Sequence, residues 1–292
     1  MKQVSSEIIE RAAITARLKG GLGNQLFIYG AAKALAESLR CQVLLDISWF
    51  QHQSLRQFEL SEFQQTGRVL PYRDRLNWGY LTTRSLERRR TFSEKDFCYS
   101  PQIWQQPIGT VLSGYFQSWK YLAPAAREIR DGLTLREPSS WFIKTSIELE
   151  SLGKWTSLHL RRGDYAIQSN VHVQGLLKRA YYDRAVSLCK NSSGGFPVVV
   201  FSDELEFAKS ELKGISKDLI FITDPKGSRP AETMKLLSLA DSAIIANSTF
   251  SWWAAWISDS PGKTVIAPDP WFLDPTKDPS DLIPDHWIKI PR

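Results

Sequence analysis

In the C-terminal half of this 292-residue chain, short apolar segments alternate with helical ones, and this alternation allows few folds. Five strands are predicted, at residues 157–160, 198–201, 219–222, 242–246 and 265–267. Helices fit between them at residues 181–190, 205–212, 231–239 and 250–257. Strands joined through helices form parallel sheets, so this half is predicted to be an open, doubly wound α/β sheet.

The N-terminal half begins with a second unit of the same kind. A strand at 14–18, a glycine-rich turn, a helix at 25–39 and a strand at 43–46 form one β-α-β unit. Residues 111–114 are predicted to return to this sheet and residues 124–132 to be helical, whereas 47–110 carry no clear pattern. A break around Pro138 predicts two domains, 1–137 and 138–292.

Composition excludes several classes of protein. Hydrophobic residues make up 42% and charged residues 23%, as in ordinary soluble proteins, and no apolar run is long enough to span a bilayer. The first residues lack the apolar segment of a signal peptide. The three cysteines show no metal-ligand spacing and are interpreted as reduced core residues. A cytoplasmic location is therefore expected.

The net charge of +6 suits an anionic partner, which a basic chain attracts electrostatically. The densest basic run, residues 84–90, includes a glutamate and is interpreted first as a solvated helical face. Peripheral contact with the inner membrane surface is left open as an alternative, and nucleic acid is not expected as a partner. Anionic small molecules such as nucleotide diphosphates fit the charge equally well.

The first candidate site residues follow the strand at 157–160. Arg161 and Arg162 come at its carboxyl end, where ligands bind in doubly wound sheets, and their planar guanidinium groups suit diphosphate oxygens. In a transferase this charge would stabilise a departing nucleoside diphosphate. Asp164 is predicted to orient the arginines or to accept a proton, and His159 precedes them within the strand. A surface ion pair is the alternative.

Further candidates follow the next three strands. Asp203 is predicted either to contact the ligand or to cap the following helix, and Asp224 either to pair with a guanine edge or to form a turn. After the fourth strand, hydroxyl and amide residues stand at the start of a helix, where a phosphate is favoured. These are Asn247, Ser248, Thr249, Phe250 and Ser251. The tryptophans after them are predicted to lie in the core.

The glycine-rich turn of the N-terminal half offers close backbone approach and amide groups, at Gly23, Asn24 and Gln25. It matches neither the dinucleotide-binding nor the P-loop pattern. No Asp-x-Asp sequence is present and the four histidines are scattered, so no metal is implied and arginine is expected to neutralise the diphosphate.

Four segments together resemble glycosyltransferase family 11, the α-1,2-fucosyltransferases. They are GGLGNQLFIYGAAKAL, HLRRGDY, VFSDELEFAK and NSTFSWWAAW, and the second resembles the family's H-x-R-R-x-D motif. The resemblance implies a GT-B-like fold of two Rossmann-type domains facing a cleft. It also implies a metal-independent, inverting transfer of fucose from GDP-β-L-fucose to the 2-hydroxyl of a galactoside. No cofactor is implied beyond this donor substrate.

By the same resemblance, residues 138–292 bind GDP-fucose and residues 1–137 form the acceptor side. Arg161 and Arg162 contact the diphosphate, residues 248–250 line the nucleotide site, and Asp224 more loosely matches a guanine-reading position. Asp164 is the first candidate for the base and His159 the second, with the diphosphate itself as a further alternative. A transferase using another GDP-sugar or forming another fucosyl linkage is the nearest rival. A non-catalytic carbohydrate-binding protein is a more remote one.

Overall fold

The computed structural model describes residues 12–52, 54–64, 66–70, 90–162, 175–193, 195–225, 227, 229–258 and 262–292. The chain forms two compact units. Unit 1 consists of Met1–Thr134 and Ser280–Leu282, and unit 2 of Leu135–Pro279 and Ile283–Arg292. The predicted division into residues 1–137 and 138–292, with acceptor and donor roles, stays a prediction.

Unit 1 is built on a five-stranded parallel sheet. Its strands are β1 Ala13–Arg17, β2 Gln42–Asp46, β3 Arg68–Val69, β4 Thr91–Ser93 and β5 Val111–Ser113. Its helices are α1 Leu22–Ser38, α2 Trp119–Leu122 and α3 Ala126–Gly132, with short 3-10 helices at Ser48–His52, Leu60–Glu62, Pro101–Gln105 and Ala123–Ala125. The strands lie in the order β3-β2-β1-β5-β4, and β1 pairs with β2 from Ala13 opposite Gln42 to Arg17 opposite Asp46.

The glycine-rich turn is shorter than predicted, because helix α1 begins earlier than expected. Gly20 has a φ of +76°, which favours glycine, and an added Cβ would lie 2.7 Å from Asn24 Nδ2. Gly21 is extended, with φ −76° and ψ 175°, and is the N-cap. Helix α1 therefore begins at Leu22 rather than near residue 25, and Gly23 lies in its first turn.

Unit 2 is built on a six-stranded parallel sheet. Its strands are β6 Thr156–Leu160, β7 Val198–Ser202, β8 Leu219–Phe221, β9 Ser242–Ile244, β10 Thr264–Asp269 and β11 Ile288–Pro291. Its helices are α4 Ser140–Glu150, α5 Arg179–Ser193, α6 Leu205–Glu211, α7 Pro230–Ser238 and α8 Thr249–Ile257. The strands lie in the order β11-β10-β9-β6-β7-β8, which confirms the predicted doubly wound sheet.

The core of unit 2 is apolar and aromatic. Trp252 and Trp253 are fully buried on α8, and Trp256 stacks against Trp252 with ring centroids 5.8 Å apart. This confirms that the tryptophans of α8 belong to the core. The buried Tyr181 hydroxyl donates a hydrogen bond of 2.6 Å to the carbonyl of Ile245, so its polar group is satisfied. No helix of the described residues is long and apolar enough to cross a membrane.

The sequence patterns missed five elements, β3, β4, β11, α2 and α4, of which α2 has only four residues. Strands β3 and β4 have two and three residues, too few to show an alternating pattern. β11 is an edge strand, where polar residues are tolerated. Helix α4 did carry a start signal, because Ser139 follows a proline and its hydroxyl accepts a hydrogen bond from the Phe142 N–H at 3.1 Å.

A buried carboxylate ties α4 to α7. Glu232, 1% exposed, accepts hydrogen bonds from the Ser139 N–H at 2.7 Å and the Ser139 hydroxyl at 2.8 Å. Arg229, the residue immediately before α7, forms an ion pair with the same carboxylate. The start of unit 2 is therefore fixed to its sheet-covering helices by one buried group.

Substituting Glu232→Ala removes the acceptor of both Ser139 donors and the ion-pair partner of Arg229, which keeps its hydrogen bond to the Glu137 carbonyl. We expect it to lower the free energy of unfolding by about 2–4 kcal/mol, as for a broken buried ion pair with hydrogen bonds. The control is Glu148→Ala, which removes an exposed pair with Lys144 and should cost less than about 0.5 kcal/mol. Urea unfolding measures both, and equal costs would contradict the assigned role.

Candidate functional site

The order of the strands in unit 2 reverses between β6 and β9. From β6 the chain proceeds outward through β7 and β8, and it then returns to β9 and continues through β10 and β11. In open α/β sheets the crevice at the carboxyl ends of two such strands is the usual ligand site. Candidate residues after β6 and β9 therefore lie where this fold binds ligands.

Asp203 contacts both arginines that follow β6, the side chain of Arg161 and the backbone of Arg162. Its Oδ2 atom lies 2.9 Å from Arg161 Nη1, and its Oδ1 atom accepts a hydrogen bond of 3.0 Å from the Arg162 N–H. Asp203 follows β7, which pairs with β6 in register. The carboxylate thus fixes the direction of the Arg161 guanidinium, whose side chain remains 22% exposed.

The alternative role for Asp203, capping α6, is not what the structure shows. The N-cap of α6 is Glu204, and no side chain of the described residues accepts a hydrogen bond there. The Glu204 N–H instead donates to the Ser202 hydroxyl at 3.0 Å. Asp203 is therefore occupied by the arginines rather than by the helix.

Arg162 is held by a different set of groups. Its Nη1 atom lies 3.0 Å from the Glu204 carboxylate, and its guanidinium carbon lies 4.0 Å from the centre of the Phe207 ring. Its buried Nε atom has no hydrogen-bond partner in the described part of the chain. Glu204 and Phe207 therefore restrain the side chain of Arg162, as Asp203 restrains that of Arg161.

His159 is a buried, neutral residue of β6. It is 4% exposed, and its ring packs against Phe250 with centroids 5.4 Å apart. Burial, with a smaller contribution from the positive charge of Arg161, lowers the pKa of His159 to about 3. Its Nδ1 atom has no hydrogen-bond partner among residues that the structure describes. The ring is therefore uncharged at neutral pH.

The segment after β9 combines buried and half-buried groups. Ser248 is the N-cap of α8, and its hydroxyl accepts a hydrogen bond from the Phe250 N–H at 3.3 Å. Ser251 is buried and donates to the Ala246 and Ser248 carbonyls, while buried Asn247 donates to the Gly175 and Trp271 carbonyls. Thr249 and Phe250 are half-buried at the same helix start.

Asp224 follows β8, an edge strand two positions from β6. Its Oδ2 atom accepts a hydrogen bond of 2.9 Å from the hydroxyl of Thr233 on α7. The carboxylate is exposed but directed by a buried threonine. Sequence reasoning missed Thr233 because nothing in the local pattern connects it with a residue nine positions earlier.

The glycine-loop candidates lie in unit 1. Gln25 is fully buried, and its amide donates to the Gly20 carbonyl at 3.0 Å and to the Gln57 carbonyl at 2.8 Å. Its Oε1 atom accepts from the Glu59 N–H at 2.9 Å, so the side chain supports the loop. Asn24 accepts a hydrogen bond of 3.0 Å from Gln117. Donor contacts of Gly23, Asn24 and Gln25 stay predictions.

The structure thus brings five predicted residues together at the β6–β9 crevice. They are His159, Arg161, Arg162, Asp203 and Phe250. Asp164 lies outside the described residues, and its predicted role as base stays a prediction. Sequence reasoning missed Glu204 and Phe207 as partners of Arg162, although Glu204 is the N-cap of α6 and Phe207 lies in its first turn, close after β7.

The arrangement can bind and stabilise an anion. Arg161 offers a guanidinium directed by a carboxylate, and the start of α8 adds backbone N–H groups and the positive end of a helix dipole. Across the described ranges, no three metal-binding side chains lie close enough together to hold a metal ion.

Comparison with known proteins gives a consistent result. The family described as Glycosyl transferase family 11 matches residues 105–290. An Escherichia coli alpha-1,2-colitosyltransferase is 30% identical over 96% of this chain and 99% of its own. The Escherichia coli O-antigen biosynthesis glycosyltransferase WbnK is 29% identical over 94% and 99%. Galactoside alpha-(1,2)-fucosyltransferase 1 of Bos taurus is 25% identical over 93% and 74%.

Solved structures with a similar fold include fucosyltransferase NodZ from Bradyrhizobium. It superposes with a TM-score of 0.51 at 13% identity, over 85% of this chain and 93% of NodZ. A NodZ alpha-1,6-fucosyltransferase crystal soaked with GDP-fucose gives a TM-score of 0.50 at the same coverage. At this identity the likeness speaks for the fold, and it confirms the GT-B-like α/β fold class.

The neutral state of His159 is open to a direct test. Because its pKa is about 3 in the folded protein and that of an exposed histidine about 6.5, its NMR signal should not titrate between pH 5 and 8. The signal is identified by its loss in His159→Gln. Below about pH 6.5 the unfolded chain binds a proton on this histidine, whereas the folded chain binds it only near pH 3. The contribution of His159 to stability therefore falls as pH drops from about 6.5 towards 3. A titration midpoint near 6.5 would contradict the assignment.

Proposed function

This chain belongs to glycosyltransferase family 11, and from that premise we propose that it transfers L-fucose from GDP-β-L-fucose to the 2-hydroxyl of a galactoside. The product is an α-1,2 linkage, and the anomeric configuration inverts. The transfer needs no metal ion, because guanidinium groups offset the charge of the diphosphate. The partners are then the nucleotide sugar and a galactose-containing glycan.

The observation that carries the proposal is the Arg161–Asp203 pair at the β6–β9 crevice. The match to the family spans this crevice, since it covers residues 105–290. A guanidinium held in a fixed direction before the substrate arrives stabilises negative charge without reorganisation during the reaction. Departure of GDP from the sugar develops that charge on the β-phosphate. Relatives named as α-1,2 transferases support the linkage.

In the proposed mechanism the acceptor hydroxyl attacks the anomeric carbon as the bond to GDP breaks. Arg161 stabilises the leaving diphosphate, and the sugar passes through a transition state with oxocarbenium character. A base takes the hydroxyl proton. Asp164 remains the first candidate, and the diphosphate itself is the alternative. A ring with a pKa of about 3 takes up a proton poorly at neutral pH, so His159 is better suited to support Phe250 and the arginines.

A specific observation favours a second candidate donor. The relative that is 30% identical over almost the whole of both chains is named as a colitosyltransferase, with the same α-1,2 linkage. Colitose is L-fucose without its 3-hydroxyl, so the two donors present the same nucleotide and nearly the same sugar. The alternative function is therefore α-1,2 transfer from GDP-colitose by the same fold and the same arginines.

The test is release of GDP in the presence of EDTA, with lactose or N-acetyllactosamine as acceptor. GDP-fucose and GDP-colitose are supplied separately and then in competition, and the linkage of the product is determined. Acceptor-dependent release from GDP-fucose with a new α-1,2 bond supports the proposal, whereas a large preference for GDP-colitose supports the alternative. Sugar binding without GDP affinity would indicate a carbohydrate-binding protein, a reading that leaves the paired arginines unexplained.

We expect Arg161→Ala to lower kcat by about 10²–10³-fold, the usual effect of removing one group that stabilises transition-state charge. The matched control is Arg184→Ala, an exposed arginine of α5 whose guanidinium donates to the Pro291 carbonyl. Its kcat should stay within about twofold of the wild type. Near-normal turnover of Arg161→Ala would show that the diphosphate is stabilised by other groups.

A further inference from the structure

Unit 1 has a switch point of its own. From β1 the chain proceeds outward through β2 and β3, whereas β5 and β4 lie on the other side of β1. The crevice at the carboxyl ends of β1 and β5 is therefore a second position of the kind that binds ligands. The segments that follow β1 and β5 are linked, since Gln117 donates a hydrogen bond of 3.0 Å to Asn24 in the first turn of α1.

The loop after β5 is held in a strained conformation. Phe116 is fully buried with a φ of +52°, a region that residues other than glycine seldom occupy. The Glu94 Oε2 atom accepts hydrogen bonds from the Tyr115 N–H at 2.6 Å and the Phe116 N–H at 3.0 Å. Gly114 leaves no room for a side chain, because a Cβ there would lie 2.4 Å from Glu94 Cβ. Strain of this kind persists where the surroundings enforce it, often at functional sites.

The strained loop presents Tyr115 next to an ammonium group and a second ring. Lys19 Nζ, two residues beyond β1, lies 4.2 Å from the centre of the Tyr115 ring. The ring of Phe97 lies nearly parallel to that of Tyr115, at 7° and with centroids 6.4 Å apart. Both aromatic rings are half-buried rather than part of the core.

One polar group in this cluster has no hydrogen-bond partner within the described part of the chain. The Glu94 Oε1 atom is buried and makes no hydrogen bond there. Lys19 is half-buried beside it, with its ammonium group over the Tyr115 ring, and its charge acts on Glu94. Burial raises the pKa of the Glu94 carboxyl, and the two backbone N–H donors oppose this rise. Buried polar groups without partners are uncommon, and a ligand is one way to satisfy them.

We propose that Lys19, Glu94, Phe97 and Tyr115 form the subsite that binds the acceptor sugar, a neutral pyranose such as the galactose ring of a galactoside. This inference rests on the proposed function and assigns its acceptor side to named residues. The face of a pyranose packs on an aromatic ring, and its hydroxyls both donate and accept hydrogen bonds. They therefore suit a carboxylate and an ammonium together.

The mixed charge of the cluster favours a neutral sugar over an anionic one. Lys19 would attract an anion, but Glu94 carries the opposite charge beside it and Asp96 acts on the same carboxyl. The Glu94 Oε2 atom holds the backbone of Tyr115 and Phe116, which leaves the Oε1 atom to accept from a sugar hydroxyl. Tyr115 and Lys19 are the other residues that contact the sugar.

The test compares Tyr115→Leu with Tyr115→Phe in the full chain. Loss of the ring should raise the acceptor KM for lactose at least about fivefold, in line with the worth of one aromatic contact. The KM for GDP-fucose and the Kd for GDP should stay unchanged. Tyr115→Phe keeps the aromatic ring, so its acceptor KM should stay within about twofold of the wild-type value. Lys19→Met, which keeps the chain length but removes the charge, should also raise only the acceptor KM.

Direct binding of lactose separates failure of this inference from failure of the proposed function. Saturation-transfer NMR of lactose with GDP-loaded protein needs no turnover, and the signal should weaken in Tyr115→Leu but not in Tyr115→Phe. The subsite assignment would be overturned if wild type and Tyr115→Leu gave equal lactose signals or equal acceptor KM values. It would also be overturned if lactose did not bind to the wild type. Loss of GDP binding in the wild type would instead count against the proposed function.

Discussion

The candidate donor site depends on the two contacts that the carboxylate of Asp203 makes. One oxygen binds the Arg161 guanidinium and the other binds the Arg162 N–H, so a single side chain joins the ends of neighbouring strands β6 and β7. The ion pair orders the Arg161 guanidinium before a ligand arrives, which reduces the side-chain entropy lost on binding. Because the group is ordered in advance, its charge is available for a developing negative charge at the crevice.

The two units place their functional groups by the same rule. Each has a parallel sheet whose strand order reverses at one place, and in each a charged side chain follows the strand at that reversal. In unit 2 it is Arg161, directed by a carboxylate, and the crevice suits an anion. In unit 1 it is Lys19, set against the Tyr115 ring with Glu94 beside it, and the crevice suits a neutral polar ligand. The proposed division of donor and acceptor roles rests on this difference in local chemistry.

Much of the fold could be predicted because most of its strands are apolar and are separated by helices. The candidate site was predictable as a set of strand ends but not as a set of contacts. Asp203 and Arg161 are 42 positions apart in the sequence, and only the register of β6 with β7 brings them together. Local patterns equally allowed Asp203 to cap α6. The cluster of Lys19, Glu94, Phe97 and Tyr115 could not be predicted at all. It depends on the three-residue strand β4 and on the positive φ of Phe116.

The most direct test of the central claim is calorimetric titration of GDP and GMP into the wild type and Arg161→Ala. If the guanidinium held by Asp203 contacts the diphosphate, the wild type should bind GDP at least about tenfold more tightly than GMP, a difference of about 1.4 kcal/mol. That preference should largely disappear in Arg161→Ala, with GMP affinity little changed. Equal binding of GDP and GMP by the wild type, or an unchanged preference in the variant, would contradict the account.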